Sequence, residues 1–278
     1  MDIANIVNGV NFKSVSNVVL DTDNINQPRY YGTKNVIFCK TDLIPQLFRE
    51  LQNHNSKNIL ITHESDFEIN ANAFSRKSPC IVKWYAQNVN YQDPNLIPVP
   101  IGLENQEGPG KGQMIDLEFL KNLVPDYKPT NKIMDKIYCN IIKTHDNRPF
   151  VKQLLIDSGL GYIEKPGNMV DGRIPSREHH MQLSRFLFIA SPRGNGRDCH
   201  RTWEALIMGS IPIVDKHFMF DTYPDLPIIQ VADWHDLLDG QILEHYKNLY
   251  LRGKLFYNME QLTMDYWKKR IKQDFDQL

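Results

Sequence analysis

Side chains suited to binding anions and hydroxyl groups stand close together near residue 200, in the stretch SPRGNGRDCHRTWEA. Gly194 and Gly196 can adopt positive φ and let an anion approach the backbone. Arg201 falls in the first turn of a predicted helix, where its guanidinium can neutralise a diphosphate. Glu204 follows one turn later and can accept hydrogen bonds from two ribose hydroxyls, while Asp198 is placed to cap the helix. The pattern predicts a nucleotide or nucleotide-sugar site.

Arg201 and Glu204 also have a simpler interpretation. Residues three apart share a helix face and commonly form a solvated ion pair. The loop before them has no GK[ST] and lacks a complete GxGxxG, so it matches neither common phosphate-binding motif. Both interpretations stay open on these residues alone.

The elements around this loop are predicted to be a strand, a loop, a helix and a second strand. Apolar runs at 186–190 and 211–214 flank an amphipathic helix that stops at Gly209. This order puts the loop at a helix start, where backbone N–H groups favour an anion.

The rest of the chain alternates in the same way, which predicts an α/β fold. A loose segment at 124–130 carries Pro125 and Pro129 and places the boundary between an N-terminal domain, 1–128, and a C-terminal domain, 129–278. Predicted strands are 18–20, 35–39, 59–62, 80–84, 136–143 and 227–231; predicted helices are 43–51, 147–157 with Asn147 as N-cap, and one or two within 242–275.

Composition limits the possible partners and compartment. The chain has 278 residues, 41% of them hydrophobic, which is enough for one large or two ordinary domains. A net charge of -1 and a pI near 6.8 argue against a nucleic acid partner. No signal peptide or membrane span is predicted. The scattered cysteines predict reduced thiols in the cytoplasm: Cys39, Cys80, Cys139 and Cys199.

Three further patterns could be taken for functional sites. Asp21-Thr22-Asp23 matches a DxD metal motif, but an Asp-rich strand end favours a turn. The adjacent His179 and His180 project apart, so a solvated or capping role is expected rather than a metal. The aromatic and basic segment 266–272 is interpreted as a terminal helix that buries Trp267 and Ile271, not as a membrane-surface helix.

The motif as a whole resembles a known signature. SPRGNGRDCHRTWEALIMGSIPIVD is similar to that of exostosin-like glycosyltransferases, in which a Pro-x-Gly-x-Gly-x-Asp loop precedes an Arg, a Trp-Glu-Ala-Leu helix and a Gly-x-Ile-Pro-Ile-Val strand. The resemblance covers roughly residues 80 to 240. Other matching pieces are Tyr85, Gln87 and Asn88, the 97–102 turn, the 138–143 strand with Thr144 and Arg148, and the 226–229 segment with Trp234.

The resemblance implies a GT-B fold, with two Rossmann-like domains facing a cleft and a terminal helix, about 259–278, crossing back to the N-terminal domain. It implies an inverting enzyme that uses a UDP-sugar and a glycan acceptor and needs no metal or other cofactor. The donor-site positions would be Arg193, Gly194, Asn195, Gly196, Arg201 and Glu204, with Lys143 and Arg148 reaching the phosphates.

The eukaryotic members are longer and carry a Golgi anchor, so their location does not transfer to this chain. Compact members without an anchor are encoded by large algal viruses, where they decorate capsid glycans. Similarity to these viral members implies xylose as the transferred sugar and the host cytoplasm as the compartment.

An inverting transfer needs a general base on the acceptor side. The segment 61–66 ends an apolar strand in three titratable groups, and strand ends in α/β sheets face the ligand crevice. Asp66 and Glu64 are preferred over His63 as that base. A polar loop with capping carboxylates is the alternative for this segment.

Two other functions stay open at this point. One is a metal-dependent GT-A transferase that uses Asp21 and Asp23 with Mn²⁺. The other is a non-catalytic protein that binds a glycan or a nucleotide.

Overall fold

The structure, a computed structural model, describes residues 5–104, 132–163, 176–255 and 257–278. Its helices are α1 Gly9–Ser14, α2 Ile44–Glu50, α3 Ala71–Ser75, α4 Asn147–Asp157, α5 Ser176–Arg185, α6 His200–Ile207, α7 Gln241–Leu251 and α8 Met264–Asp276. Its strands are β1 Val18–Leu20, β2 Lys34–Lys40, β3 Lys57–His63, β4 Ile69–Asn70, β5 Ile81–Ala86, β6 Val89–Asn90, β7 Leu96–Pro98, β8 Ile133–Tyr138, β9 Gly161–Tyr162, β10 Phe186–Ala190, β11 Ile211–Asp215 and β12 Ile229–Val231.

The chain divides into two units, each with its own parallel sheet. The N-terminal unit holds residues 5–102, 196–198 and 260–278. The C-terminal unit holds the other described residues from 103 to 259. The chain is therefore a mixed α/β protein, as the alternating pattern predicts. The expected boundary between residues 128 and 129 lies outside the described residues.

The C-terminal unit has a five-stranded parallel sheet in the order β12-β11-β10-β8-β9. Of these five strands, β8 comes first in the sequence, and in the sheet it lies between β9 and β10. The order therefore reverses between β8 and β10. In open α/β sheets, ligands bind outside the carboxyl ends of the strands at such a switch point.

The N-terminal unit has its five main strands in sequential order, β1-β2-β3-β5-β7, all parallel. Right-handed crossovers between sequential strands lie on one face of a sheet, which leaves the other face to be covered by different elements. Among the strands that the structure describes in this sheet, the order does not reverse.

Two neighbouring residues of β5 show how both faces are covered. The Trp84 ring packs at 5.8 Å from Phe48 of α2 and 6.0 Å from Phe74 of α3. Successive strand residues point to opposite faces, and the Tyr85 ring packs instead against Trp267 of α8, at 6.2 Å. The terminal helix is therefore part of the N-terminal unit, and it buries Trp267 and Ile271 as predicted.

Most predicted elements are confirmed to within a few residues, and three details are wrong. The strand predicted at 136–143 spans Ile133–Tyr138 instead, and beyond it the carbonyl of Asn140 accepts a hydrogen bond from Arg201. Asp146, not Asn147, is the N-cap of α4. Cys199, not Asp198, is the N-cap of α6.

Candidate functional site

Two loops follow the strands at the switch point of the C-terminal sheet. The β8 loop is defined as residues 139–146, and the β10 loop as residues 191–199. The sequence prediction placed donor-binding residues in both. Their side chains bind the loops to each other, which fixes the shape of the site.

Arg148, at the start of α4, connects the two loops. Its Nε donates to the carbonyl of Arg193 at 2.9 Å, and its Nη2 lies 3.1 Å from the carbonyl of Pro192 and 3.3 Å from the Cys199 Sγ. Its Nη1 donates to Ile142 at 3.3 Å. The guanidinium thus holds the β10 loop in place, a role that the sequence did not reveal.

Arg201 lies in the first turn of α6 with one donor unused. Its Nη2 donates to Asn140 at 2.9 Å and its Nη1 to Ala190 at 3.5 Å. Its Nε is buried and has no hydrogen-bond partner among the described residues. Burial lowers the pKa of Arg201, and the positive charge of Arg148 lowers it further. A buried donor beside a second cation is stabilised by an anion.

Glu204 is buried one turn further along α6, and its partners are two histidines of α5. His179 Nε2 lies 3.4 Å from Oε2, and His180 Nε2 lies 3.6 Å from Oε1. The expectation that these histidines are solvated or capping is therefore wrong. Arg201 and Glu204 do not form an ion pair in the described part of the chain, so the simpler interpretation of their spacing is also wrong.

The glycines of the β10 loop allow close packing rather than an unusual backbone angle. Neither Gly194 nor Gly196 has positive φ. A Cβ on Gly194 would lie 3.0 Å from Arg148 Nη2, and one on Gly196 would lie 2.7 Å from Asn88 Nδ2. Gly196 therefore lies too close to Asn88 for a side chain, whereas at Gly194 a methyl group would fit only if its neighbours moved slightly.

The remaining predicted donor residues differ in exposure. Asn195 and Lys143 are exposed, and Arg193 is partly buried. The backbone N–H of Arg193 is held by the Asp215 carboxylate, 2.7 Å away. Asp215 ends β11 and was missed as a functional candidate, although it closes the same sequence motif.

Asp198 belongs to the N-terminal unit and forms hydrogen bonds with Ile101 and Asn88 of that unit. Its Oδ2 accepts from the Ile101 N–H at 2.6 Å, and its own N–H donates to the Asn88 Oδ1 at 2.9 Å. These contacts explain why Asp198 does not cap α6. In the same unit, Arg197 Nε lies 2.9 Å from the Glu68 carboxylate.

The three candidate bases follow one another at the end of β3 in different environments. His63 is buried, with its Nε2 3.3 Å from the Pro100 carbonyl. Glu64 is partly buried, and its Oε2 lies 3.8 Å from Lys13 Nζ. Asp66 is exposed. The structure thus separates the three by their access to solvent.

The backbone of Glu64 is also held in a conformation that residues other than glycine rarely adopt. Its φ is 61°, in the left-handed region, and among the described non-glycine residues only Asn88 shares that property, with φ 56°. This backbone conformation costs energy in a residue other than glycine, and it tends to occur at functional sites. Gln87 fixes it, because its Oε1 accepts from the Glu64 N–H at 3.0 Å and its Nε2 donates to the Ser65 carbonyl at 3.0 Å.

The DxD segment forms a turn, as expected. Asp21 Oδ1 accepts from the N–H groups of Asp23 and Asn24, both at 3.1 Å. Its Oδ2 lies 2.8 Å from Lys13 Nζ. No cluster of three metal-ligating side chains is found within the described ranges.

A groove of about 640 Å³ lies beside α2 and α3 in the N-terminal unit. Phe48 and Ile69 contribute apolar surface to it, and the exposed Arg49 and Arg76 contribute charge. None of the three candidate bases lines the groove, but Phe67 does. Its volume is within the range of roughly 300–1,000 Å³ that is typical of small-molecule sites.

Comparison of the sequence with protein-family models and with curated proteins finds no match. The exostosin-like resemblance is therefore still a prediction from the motif. Within the parts of the chain that the structure describes, no helix has the length and apolar character to span a membrane.

Proposed function

We propose that the protein is a metal-independent, inverting glycosyltransferase of the GT-B type that moves a sugar from a UDP-sugar to a glycan hydroxyl. The observation that carries this proposal is the unused, buried Nε–H of Arg201 beside the cationic Arg148, at the strand-order reversal of a parallel sheet. A diphosphate at this position supplies the missing acceptor and the missing negative charge.

In the proposed reaction, the donor diphosphate lies along the β10 loop and Glu204 accepts hydrogen bonds from the ribose. The acceptor oxygen attacks the anomeric carbon while the bond from that carbon to the diphosphate oxygen breaks. The electron pair leaves with the diphosphate, where Arg201 offsets the developing charge without a metal. Attack from the opposite side inverts the configuration at the anomeric carbon.

The base that takes the acceptor proton is assigned to Glu64 in this proposal. His63 is buried against a backbone carbonyl, which leaves it little access to an acceptor. Asp66 is exposed to solvent. Glu64 is partly buried and its backbone is fixed by Gln87, which gives its side chain a defined starting point for a positioned base. The groove beside α2 and α3 is the proposed place for part of the acceptor glycan.

UDP and xylose are supported only by the motif resemblance, so the first experiment is a donor screen. Release of the nucleoside diphosphate is measured for a panel of UDP- and GDP-sugars, with glycan acceptors, with and without EDTA. We expect turnover with UDP-xylose that EDTA does not change. Turnover with GDP-sugars alone contradicts the donor assignment, and loss of turnover in EDTA supports the GT-A alternative.

Variants then test the assigned roles. Arg201→Ala is expected to weaken UDP binding by about tenfold or more, as loss of a charged hydrogen bond does. Glu64→Gln is expected to keep UDP binding and lose turnover. Arg252→Ala, at an exposed position after α7, is the matched control for removal of an arginine. UDP binding by the wild type with no transfer from any donor favours a non-catalytic binding protein.

A further inference from the structure

The arginine and the glutamate on α6 are kept apart although their spacing would let them pair. Arg201 directs its guanidinium to the carbonyls of Asn140 and Ala190. Glu204 directs its carboxylate to α5 instead. An ion pair between the two would cancel both charges, and neither would then be available to a ligand.

Two adjacent residues of α5, His179 and His180, contact the carboxylate of Glu204. His179 and His180 each present Nε2 to a different oxygen, at 3.4 Å and 3.6 Å, and their rings lie 5.6 Å apart at 60° to each other. Glu204 and His180 are both buried, with 7% and 2% of their surface exposed. An ionised carboxylate offers about four lone-pair positions, so at least two remain for other donors.

We propose that His179 and His180 are positioning residues for nucleotide recognition: they hold Glu204 toward the ribose and away from Arg201, which leaves Arg201 available to the diphosphate. This inference rests on the proposed function. It explains why Arg201 and Glu204 have separate partners although their spacing along the helix would let them form an ion pair.

A neutral His179 suits this role better than a charged one. Burial lowers the pKa of His179, although the hydrogen bond from His179 to Glu204 opposes that effect. Burial alone would raise the pKa of Glu204, but the two histidines outweigh burial and hold it well below its ordinary value. The described titratable groups facing the pair are Glu204 and Arg201 from α6 and Tyr138 from β8. The carboxylate of Glu204 therefore stays ionised.

The binding test compares uridine, which has only the ribose and base, with UDP. Titration calorimetry is done on the wild type, His179→Ala/His180→Ala, and His179→Gln/His180→Gln, whose amides keep N–H donors. In the alanine variant we expect uridine to bind about tenfold more weakly, and UDP to lose more than uridine because Glu204 can then turn to Arg201. We expect the glutamine variant to recover most of both affinities.

Met181→Ala is the control, because Met181 lies on the same helix and is 40% exposed. If the alanine variant binds uridine as tightly as the wild type does, and also binds UDP as tightly, the inference is overturned and the proposed function stands. Equal losses for both ligands in the alanine and glutamine variants indicate a merely structural role and also overturn it. Failure of the wild type to bind any nucleoside diphosphate overturns the proposed function instead.

A second measurement tests the contact without any nucleotide. The imidazole of His179 is titrated by NMR in the wild type and in Glu204→Gln. Removal of the carboxylate charge is expected to move protonation of His179 to lower pH, since that charge favours the imidazolium. An unchanged titration overturns the inference whether or not the alanine variant folds.

Discussion

The carboxylate of Asp215 holds the backbone of Arg193, with 2.7 Å between Oδ2 and the Arg193 nitrogen. Its other oxygen accepts from Trp234 Nε1 at 2.8 Å and from Asn147 Nδ2 at 3.1 Å. Asp215 thus fixes the start of the β10 loop from the end of β11. Because all three partners are donors, the site requires a group that only accepts.

Asp215→Asn is therefore expected to lower both stability and UDP affinity, although asparagine and aspartate are nearly the same size. The new amide turns an N–H₂ toward at least one donor, which leaves that donor unsatisfied and costs about 1–3 kcal/mol of unfolding free energy. UDP affinity should fall as well, because the loop is released. Urea denaturation and calorimetry measure the two effects. The exposed Asp225→Asn serves as control, and equal stability of the two variants would refute the role of Asp215.

The two loop glycines should differ in their tolerance of a methyl group. In Gly196→Ala the new Cβ meets Asn88, which cannot move because it bonds to Ser65 and Asp198. We expect a loss of about 1–3 kcal/mol, as for overpacking of a filled site. In Gly194→Ala the Cβ meets the ends of Arg148 and Thr144 at 3.0 Å and 3.2 Å, which can shift.

Thermal unfolding of both variants checks this order of stability. Gly32→Ala is the control, because its Cβ would have only ordinary contacts at 3.6 Å. If Gly196→Ala is as stable as Gly32→Ala, the contact with Asn88 does not constrain the loop.

Gln87→Leu should damage the proposed base through its backbone. The leucine neither accepts from the Glu64 N–H nor donates to the Ser65 carbonyl, so the strained φ of Glu64 loses its support. We expect a loss of about 1–3 kcal/mol in stability and a fall in kcat with little change in the KM for the donor. Steady-state kinetics on the purified variant decides, and an unchanged kcat would argue against Glu64 as the base.

The Asp21–Lys13 pair predicts a pH-dependent difference in stability. Burial raises the pKa of Asp21, but the hydrogen bond and charge of Lys13 outweigh it and lower that pKa below 3.8. A carboxyl whose pKa is lowered in the native state stabilises the fold above its unfolded pKa. That contribution disappears as the pH falls through the native pKa.

Asp21→Asn keeps an oxygen for the turn but removes the charge. We expect the variant to be less stable than the wild type by about 1 kcal/mol at pH 7, with the difference shrinking below about pH 4. Urea denaturation at pH 7 and pH 3 measures this, and the exposed Asp23→Asn is the control. A difference that does not change with pH would show that the pair contributes no net charge effect.

The elements of this protein are determined largely by local sequence. Apolar runs such as Val18–Leu20 and Phe186–Ala190 form buried parallel strands because they can bury both faces. Asp21 forms its turn for an equally local reason, since its side chain reaches the N–H groups two and three residues ahead. Helix caps depend on contacts elsewhere, and there the sequence misled at Asp198.

The partners of the charged side chains were decided only by the tertiary structure. Sequence spacing brings Arg201 and Glu204 to one face of a helix, but it contains no information about α5 or the β8 loop. In the folded chain, Glu204 contacts His179 and His180 of α5, and Arg148 donates a hydrogen bond to the β10 loop. The sequence by itself determined which groups could bind a diphosphate and a ribose. The strand-order reversal and these long-range contacts decided which of them remain available to do so.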